Sequence, residues 1–329
     1  MKTVLSRFGA IATAGLALAA YLPAGALAQD DWPSRPVTMM VPFPPGGVAD
    51  TVARPVALAM SRALDQSVVV ENKGGAGGAI GISTVAKSPA DGYRVLMSLS
   101  SMTTIPEADK VNGRNSLFQL SQLKPIARFT ADPVALVVRS DAPWKTVQEF
   151  VADVRSKPGK YSFGSSGNYG TMHVPMEMFK SAAKLNILHV PYTGAGPALV
   201  GLMGGQVDAV ATGPASVLAQ IKSGKLKALA HWGDRPLASL PGIPTLKEAG
   251  FPVDYAQWSG LFVPAGTPDA VVEKLRVAAR KAAEDPQVNA TINGAGSSIM
   301  YMDTPEFQAY LNADAKKMAE VVQKIGKVD

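Results

Sequence analysis

Three short turns contain the residues best suited to binding a ligand. They cover residues 42–47 (PFPPGG), 164–171 (GSSGNYGT) and 192–197 (YTGAGP), and each follows a β-rich run and precedes a helical one. Backbone N–H groups at a helix start have no partner inside the helix and lie at the positive end of its dipole. A loop that exposes them binds an anion without a basic side chain. The turns therefore predict an anion site, although the first one alone also fits a stiff connecting turn.

The first two turns differ in the donors that they offer. In the first, Gly46 and Gly47 allow a ligand to approach the backbone closely, while the neighbouring prolines hold the chain in place. The second adds serine and threonine hydroxyl groups, so that it can bind the same kind of group with more direction. His173, two residues after Thr171, is the histidine that we expect to face the ligand.

Asp50 allows two interpretations. It can cap the helix by accepting from free N–H groups, or it can orient water or accept from a ligand amine or hydroxyl group. It would repel a carboxylate placed beside it, so we do not expect it to bind the anion directly. Arg54 is expected to pair with Asp50 along one helix face, the alternative being a fork onto a carboxylate. Pro55 predicts an irregular first turn, because its ring removes an N–H hydrogen bond.

Motifs of enzymes and metal sites are incomplete. A dinucleotide loop within residues 74–81 (GGAGGAIG) would need glycine where Ile80 stands. Ser166 does not lie in the G-x-S-x-G motif of a hydrolase nucleophile, because Asn168 follows Gly167 where the motif needs its last glycine. Three histidines form no local metal-ligand motif: His173, His189 and His231. We therefore expect no catalytic residue, no metal and no cofactor.

The elements that position these turns alternate between strand and helix, which predicts an α/β protein with mostly parallel sheets. The predicted strands cover residues 37–41, 67–70, 93–97, 134–138, 161–163, 187–190, 207–211, 226–230 and 258–263. The predicted helices cover residues 51–64, 77–87, 146–156, 172–183, 198–203, 216–223 and 305–325. Residues 102–124 are expected to be less regular. In open α/β sheets ligands bind beyond the carboxyl ends of the strands, so the turns should line a cleft between two domains.

The N-terminus predicts export. Lys2 and Arg7 precede an apolar run over residues 8–22, and Ala26-Leu27-Ala28 matches a signal-peptidase site. The run is shorter than the roughly 20 residues that cross a bilayer. We expect cleavage after Ala28 and a soluble chain in the periplasm.

Composition sets further limits on function. The chain is 47% hydrophobic and 18% charged, and about 300 residues after cleavage suggest two domains. The net charge of +6, which falls when the signal leaves, mildly favours anionic ligands. Basic residues do not form a stripe with interleaved aromatics, so we expect no nucleic acid. The absence of cysteine excludes disulfides and thiol catalysis.

A series of motifs in order carries a resemblance to a known family. They are VPFPPGGVAD, ENKGGAGGAIG, DGYRVLM, SSGNYGTMHVPMEMF, HVPYTGAGPALVGLMGGQVDA, SGKLKALA, PTLKEAGF and GLFVPAGTP. The chain resembles the Bug/TctC-type solute receptors of tripartite tricarboxylate transporters over essentially its whole mature length. The resemblance implies a two-domain type II periplasmic binding protein fold with hinge strands. We expect a signal peptide at 1–28, a first domain at 29–131 and 256–329, and a second domain at 132–255.

In that family, a carboxylate is held between two loops by main-chain N–H groups, hydroxyls and bridging water. The resemblance places the first loop at Phe43, Pro44, Gly46, Gly47 and Asp50. It places the second at Ser165, Ser166, Gly170, Thr171 and His173. Tyr192, Gly194 and Gly196 would border the cleft, with Ser100 near it.

One stretch departs from the family pattern. After Asp208, residues 209–213 (AVATG) stand where many members have a phenylalanine, an acidic residue and an asparagine. These residues would make the far wall of the cleft smaller and less polar than in those members. This argues against an amine-bearing ligand such as an amino acid.

The resulting functional prediction is a monomeric receptor that captures a small organic carboxylate and delivers it to the integral membrane subunits of a transporter. A ligand sensor that presents its closed form to a sensor kinase is the alternative, and a secreted enzyme is a third hypothesis.

Overall fold

Two β-sheets with helices packed on them organise residues 32–328, the part of the chain that the computed structural model describes. The strands are β1 (Val37–Val41), β2 (Val68–Asn72), β3 (Arg94–Leu99), β4 (Leu123–Pro133), β5 (Ala135–Arg139), β6 (Ser162–Ser165), β7 (Leu188–Pro191), β8 (Ala209–Thr212), β9 (Leu226–His231), β10 (Ala256–Pro264) and β11 (Met302–Asp303). The larger sheet has the order β11-β4-β10-β3-β1-β2, and the smaller has the order β7-β6-β8-β5-β9.

The helices follow most of the strands along the chain. They are α1 (Val48–Leu64), α2 (Ala79–Ala86), α3 (Ser101–Val111), α4 (Val147–Ser156), α5 (His173–Ala182), α6 (Ala195–Met203), α7 (Pro214–Lys222), α8 (Asp269–Glu284), α9 (Pro286–Gly294) and α10 (Thr304–Ile325). Short 3-10 turns cover Ala76–Gly78 and Leu120–Gln122. We call the larger sheet with its helices the first lobe, and the smaller sheet with its helices the second lobe.

Both sheets are mixed, which corrects the expectation of mostly parallel sheets. β1 pairs in parallel with β2 and β3, and β6 pairs in parallel with β7 and β8. The strands near the passages between lobes run the other way: β10 is antiparallel to β3 and β4, and β5 is antiparallel to β8 and β9. β5 and β10 are the first strands after each passage, so each begins at the side of its sheet that faces the other lobe. The neighbouring strands β8 and β3 end at that side, which makes the pairing antiparallel.

The chain passes between the lobes at two adjacent places. β4 ends at Pro133 in the larger sheet, and β5 begins at Ala135 in the smaller one. The return lies between the end of β9 at His231 and the start of β10 at Ala256. These passages have the arrangement of hinge strands, and the domain boundaries given above stay a prediction.

The C-terminal helix α10 packs on both lobes. Phe307 and Leu311 belong to a core formed with the larger sheet. Met318 and Val322, about two and three turns after Leu311, belong to a core formed with β5, α4 and α5 of the second lobe. The apolar spacing predicted one buried face for this helix, and the structure divides that face between two cores.

Helix α3 and strand β4 are among the elements that the sequence did not predict. Helix α3 lies in the stretch expected to be less regular, and it continues through Pro106. The long strand β4 was also missed, because prolines at both ends, Pro125 and Pro133, obscure its β pattern. Helix α1 begins at Val48, earlier than expected, and continues through Pro55, so the expected irregular first turn is not what the structure has.

Within residues 32–328, no helix is both long and apolar enough to span a bilayer. The signal peptide at residues 1–28 and its cleavage after Ala28 lie outside the described residues.

Candidate functional site

The loops predicted to bind the ligand meet where the two lobes touch. A Cβ atom added to Gly194 would lie 2.5 Å from Cδ of Pro44, and one added to Gly196 would lie 3.3 Å from the carbonyl oxygen of Pro45. The turn after β1 thus packs directly on the turn after β7. Glycine is required at Gly194 by this close approach and not by its backbone angles, because its φ of 170° is extended.

Three helix N-termini converge at this contact. The N-cap residues of α1, α6 and α7 are Gly47, Gly194 and Gly213, and none of them has a side-chain cap. A Cβ atom on Gly47 would lie 3.6 Å from Cβ of Ala195, and one on Gly213 would lie 3.0 Å from Cγ2 of Val48. Each helix start carries roughly half a positive charge, so the junction of the lobes is favourable for an anion.

Two of the buried hydroxyl groups that have no hydrogen-bond partner within residues 32–328 lie at strand ends of the smaller sheet. They are Oγ of Ser166, which follows β6, and Oγ1 of Thr212, the last residue of β8. Because β6 and β8 are parallel neighbours, their carboxyl ends lie at the same edge of the smaller sheet. Buried polar groups normally have a partner, so free hydroxyls at the end of this sheet indicate a place for a ligand or for water. Ser166 was predicted, whereas Thr212 was not.

Asp50 does not cap helix α1. Gly47 is the N-cap, and Asp50 is the third helical residue, so the N-cap interpretation is wrong. Its carboxylate instead accepts hydrogen bonds from the N–H of Gly46 (3.1 Å), from Nδ2 of Asn72 (2.9 Å) and from Nε and Nη2 of Arg54 (3.0 and 2.8 Å). The predicted pairing of Arg54 with Asp50 is confirmed.

These contacts change the role of the first loop. The N–H of Gly46 is taken by Asp50, so it is not a free donor for a ligand, while among residues 32–328 no protein acceptor takes the N–H of Gly47. Burial raises the pKa of Asp50, but hydrogen bonds from Arg54, Asn72 and Gly46 outweigh it and hold the pKa below its ordinary value. Asp50 is therefore an ionised anchor for the loop.

A glycine-rich segment, residues 74–78, supports the first loop. A Cβ atom on Gly74 would lie 2.7 Å from Cδ of Pro44, and one on Gly78 would lie 3.0 Å from Cζ of Phe43. Asn72 also donates to the carbonyl oxygen of Phe43 at 3.0 Å. Sequence reasoning rejected this segment as a nucleotide loop and assigned it no other role; its run of glycines was the available signal for a close contact.

The same segment touches the second lobe. A Cβ atom on Gly167 would lie 2.9 Å from the backbone nitrogen of Gly77, and one on Gly77 would lie 3.2 Å from the carbonyl oxygen of Asn168. Ser101 donates to the carbonyl oxygen of Gly77 at 3.0 Å and holds it there. The lobes thus meet through backbone at a second place.

Side chains hold the second loop, residues 164–172. Oγ of Ser165 lies 2.6 Å from Nε2 of His189 and accepts from the N–H of Gly167 at 3.1 Å. The ring of His189 stacks on Phe163 with centroids 4.9 Å apart. Burial lowers the pKa of His189 to about 3, so this imidazole is neutral. Ser165 was predicted as a ligand residue, but its hydroxyl is already engaged by the protein.

His173 also supports the loop. Its ring is fully buried, Nδ1 accepts from the N–H of Tyr169 at 3.0 Å, and Nε2 lies 3.6 Å from Oε1 of Glu177. A neutral ring that accepts at Nδ1 carries its proton on Nε2, which therefore faces Glu177. His173 is thus directed into the protein, and the expectation that it faces the ligand is corrected.

Tyr169, which was not predicted, ties the second loop to the first lobe. It has a positive φ of 56°, and its carbonyl oxygen accepts from Oγ1 of Thr104 in α3 at 2.6 Å. Its hydroxyl donates to the carbonyl oxygen of Gly326, beyond α10, at 2.6 Å and accepts from Nδ2 of Asn112 at 3.0 Å. A strained backbone held by several partners indicates a functional loop.

Thr171 has an unpredicted partner on β10. Nε2 of Gln257 donates to Oγ1 of Thr171 at 2.9 Å, and Oε1 of Gln257 accepts from the N–H of Gly213 at 3.2 Å. Gly170 lies between Thr171 and the free hydroxyl of Ser166, because its added Cβ would be 2.9 Å from that Oγ. The second loop and the start of α7 are thus linked by one buried amide.

The Ser100 hydroxyl contacts the chain that returns through the hinge. Its buried hydroxyl lies 2.9 Å from the hydroxyl of Tyr255, which immediately precedes β10. Ser100 therefore connects the end of β3 to the returning chain, and its expected place near the ligand stays a prediction.

A cavity of about 810 Å³ opens beside the junction of the lobes. Its lining comes from both lobes and includes Ala76, Gly77, Ile105, Gly167, Asn168 and Tyr192. Of the predicted residues, Tyr192 reaches this cavity, and its hydroxyl donates to Oε1 of Gln206 at 3.3 Å. Within residues 32–328, no group of three or more His, Cys, Asp or Glu side chains is placed to hold a metal ion.

Comparison with known proteins agrees with this geometry. The model of the tripartite tricarboxylate transporter family receptor matches residues 52–327. BugT of Bordetella pertussis is 32% identical over 326 residues, which cover 96% of this chain and 95% of BugT. The structure of the periplasmic binding protein BugD is 33% identical with a TM-score of 0.85, over 90% of this chain and 100% of BugD.

Two solved structures contain carboxylates. MatC from Rhodopseudomonas palustris with bound malate is 28% identical, with a TM-score of 0.82 over 88% of this chain and 100% of MatC. An R. palustris protein with adipate is 26% identical, with a TM-score of 0.84 over 91% of this chain and 100% of that protein. The chain therefore belongs to the tripartite tricarboxylate transporter family receptors, a family of periplasmic solute-binding proteins with the two-domain type II fold.

Proposed function

We propose that this protein captures a small organic carboxylate between its lobes and delivers it to the membrane subunits of a tripartite tricarboxylate-type transporter. The convergence of three helix N-termini that begin with glycine, together with the partner-free buried hydroxyls of Ser166 and Thr212, carries the proposal. The malate and adipate of the related structures support the same ligand class. The protein would act in the periplasm as a monomer after cleavage of residues 1–28.

The donors suit a carboxylate because they are neutral and fixed. Gly47 presents a backbone N–H from the first lobe, and Ser166 and Thr212 present hydroxyls from the second. Arg54, the cation closest along the chain to the first loop, is held by Asp50 and does not supply the positive charge. Anions bind at helix starts through backbone N–H groups and the helix dipole alone.

Closure of the lobes would bring these donors together. The contacts of Pro44 with Gly194 and of Gly77 with Gly167 join opposite lobes, so they can form only when the lobes meet. A ligand that touches both loops therefore favours the closed arrangement by its differential affinity. The closed arrangement presents both lobe surfaces together, which gives a membrane partner a way to distinguish loaded from empty receptor.

Thermal unfolding with a carboxylate panel tests the ligand class. We expect one member of a mono-, di-, tri- and aromatic panel that includes malate and adipate to raise Tm by about 5 °C at a hundredfold excess over Kd. The matched control is the diamide of the best dicarboxylate, which has the same shape without charge and should leave Tm unchanged. Absence of any carboxylate effect, or an equal effect of the diamide, contradicts the proposal.

Two further measurements address what happens to the ligand. NMR of the carboxylate after incubation should show no chemical change, because a receptor releases what it binds; turnover would contradict the receptor function. Deletion of the gene should abolish uptake of the same carboxylate by cells, and uptake at the normal rate would contradict delivery to a transporter.

A further inference from the structure

Gln257 lies at the hinge with its backbone in one lobe and its side-chain partners in the other. Its strand β10 belongs to the larger sheet, where Gln257 is paired with Asp132 of β4. Its side chain, only 3% exposed, contacts Thr171 and Gly213, which belong to the second lobe. A Cβ atom added to Gly213 would lie 2.7 Å from Oε1 of Gln257, so a larger residue there would displace the amide.

The contact with Gly213 fixes the orientation of the amide. A backbone N–H is a donor only, so the group 3.2 Å from it must be the oxygen Oε1. The other end of the amide is then the NH2 group, and it must donate to Oγ1 of Thr171. The two ends of Gln257 cannot exchange without placing two donors against each other.

The fixed amide determines what the Thr171 hydroxyl can do. A hydroxyl has one hydrogen, and Oγ1 of Thr171 already accepts from Gln257, so that hydrogen must point to another acceptor. Within residues 32–328, no protein acceptor takes it, although the side chain is only 2% exposed. Thr171 also lies beside Gly170 and the free hydroxyl of Ser166.

We propose that Gln257 is a positioning residue that turns the Thr171 hydroxyl into an obligate hydrogen-bond donor toward the bound carboxylate. The fixed direction of this hydrogen bond gives specificity. A carboxylate oxygen can accept the Thr171 hydrogen, whereas an amine or amide N–H is itself a donor and cannot. Because Gln257 also accepts from the N–H of Gly213 at the start of α7, one side chain aligns a hydroxyl donor and fixes a helix start. The inference deepens the proposed function and rests on it.

Gln257→Glu reverses this polarity with little change of shape. The glutamate keeps an acceptor for the N–H of Gly213, so this hydrogen bond and the fold should persist. Its second oxygen now accepts from Thr171, which turns the hydroxyl hydrogen away from the ligand. With malate and adipate as first probes, and otherwise the best carboxylate of the panel, we expect affinity by calorimetry to fall about 10- to 100-fold.

The added negative charge also repels a carboxylate, so a double-mutant cycle separates the two effects. Thr171→Val removes the hydroxyl and should itself weaken binding about tenfold or more, whereas Thr171→Ser should keep most of the affinity. In the Thr171→Val background only the charge effect remains, so Gln257→Glu should then cost much less than in the wild type. Unliganded Tm values of all variants show whether each one folds.

The outcomes are distinguishable. If the wild type binds a carboxylate and Gln257→Glu weakens the affinity equally with Thr171 and with Thr171→Val, the positioning role is overturned. The receptor function is then left intact. If Gln257→Glu leaves the carboxylate affinity unchanged, the positioning role is likewise overturned and the receptor function is left intact. If the wild type binds no carboxylate at all, the proposed function fails, and the inference fails with it.

Discussion

The first and second ligand loops differ in how they are held. The first is shaped by backbone: prolines restrict it, residues 74–78 pack against it, and the carboxylate of Asp50 holds the N–H of Gly46. The second is shaped by side chains, including Ser165 with His189 and Thr171 with Gln257. One lobe therefore offers a fixed backbone wall, and the other offers hydroxyl groups whose direction is set by buried partners.

The difference has an energetic basis. A loop with several prolines loses little conformational entropy when it becomes ordered, because the proline rings already restrict it in the unfolded chain. Hydroxyl groups rotate freely unless a partner fixes them, so the second lobe needs a network that the first does not. Three sets of variants test this difference between the loops. The first set affects the junction of the lobes, the second affects the first loop, and the third affects the second loop.

The largest effect is expected from Gly194→Ala, which separates the two loops. The new Cβ would lie 2.5 Å from Cδ of Pro44, and a proline ring cannot move aside as a flexible side chain would. The φ of 170° suits alanine, so the clash acts on closure and not on the local backbone. Overpacking of this kind should weaken carboxylate binding about 10- to 100-fold by calorimetry.

Gly47→Ala is the matched control for closure. Its Cβ would lie 3.6 Å from Cβ of Ala195, an ordinary contact, so the lobes of this variant should still close on the ligand. Small-angle scattering should show that ligand compacts the Gly47→Ala protein but not the Gly194→Ala protein. Equal compaction of both variants would show that the contact of Pro44 with Gly194 does not limit closure.

The first loop is tested by Asp50→Asn. The amide places its NH2 group where donors from Arg54 and Asn72 point, so at least one buried hydrogen bond is replaced by a donor-donor contact. We expect the free energy of unfolding in urea to fall by about 1–3 kcal/mol. Carboxylate affinity should also weaken, because Gly46 and its neighbour Gly47 lose their anchor.

Arg54→Gln is the control for this loop. The Arg54 side chain is 55% exposed, so removing its charge should cost less than about 1 kcal/mol. A cost equal to that of Asp50→Asn would mean that the ion pair, and not the anchoring of the loop, is what Asp50 contributes.

The smallest effect is expected from pH, and it sharpens the account of the second loop. The pKa of His189 is lowered to about 3 in the folded chain, mainly by burial, against an ordinary value of 6.5. Between these values the unfolded chain binds the additional proton, so the stability conferred by a neutral His189 is complete above pH 6.5 and is lost as pH falls. From pH 7 to pH 5 this amounts to about 1–2 kcal/mol in urea unfolding.

His189→Gln removes the titrating ring and keeps a polar group beside Ser165. Its stability should therefore fall less steeply between pH 7 and pH 5 than that of the wild type. The pKa of His231 is also lowered, chiefly by burial, but it contributes to both proteins and cancels in the comparison. Parallel pH dependences would show that His189 does not titrate as its buried setting requires.

Much of the fold could be predicted because its signals are local. β1 was located to the residue, and helices α4, α5 and α10 within one residue, because hydrophobic periodicity depends on neighbours along the chain. The missed helix α3 contains Pro106 and a serine-threonine run, and it is stabilised by packing on α10. Tertiary contacts of that kind leave no periodic trace in the sequence.

The site was predicted less completely, for a physical reason. Gly47, Gly194 and Ser166 could be found because glycine and serine at a strand end already suggest exposed donors. Gln257 could not, because its partners Thr171 and Gly213 are 86 and 44 residues away along the chain. Ser100 and His173 were assigned to the ligand, yet their polar atoms face Tyr255 and Tyr169. Residue type alone does not show the direction of a side chain.

The place of β10 in the larger sheet has a consequence for the newly made chain. Synthesis releases the N-terminal part first, but β10 lies between β3 and β4, in the middle of the sheet. Until it emerges, those two strands keep unpaired backbone edges, which are templates for aggregation. Strands β5 to β9 are contiguous and can form the smaller sheet earlier. The first lobe, although it begins the chain, is therefore the last to be completed.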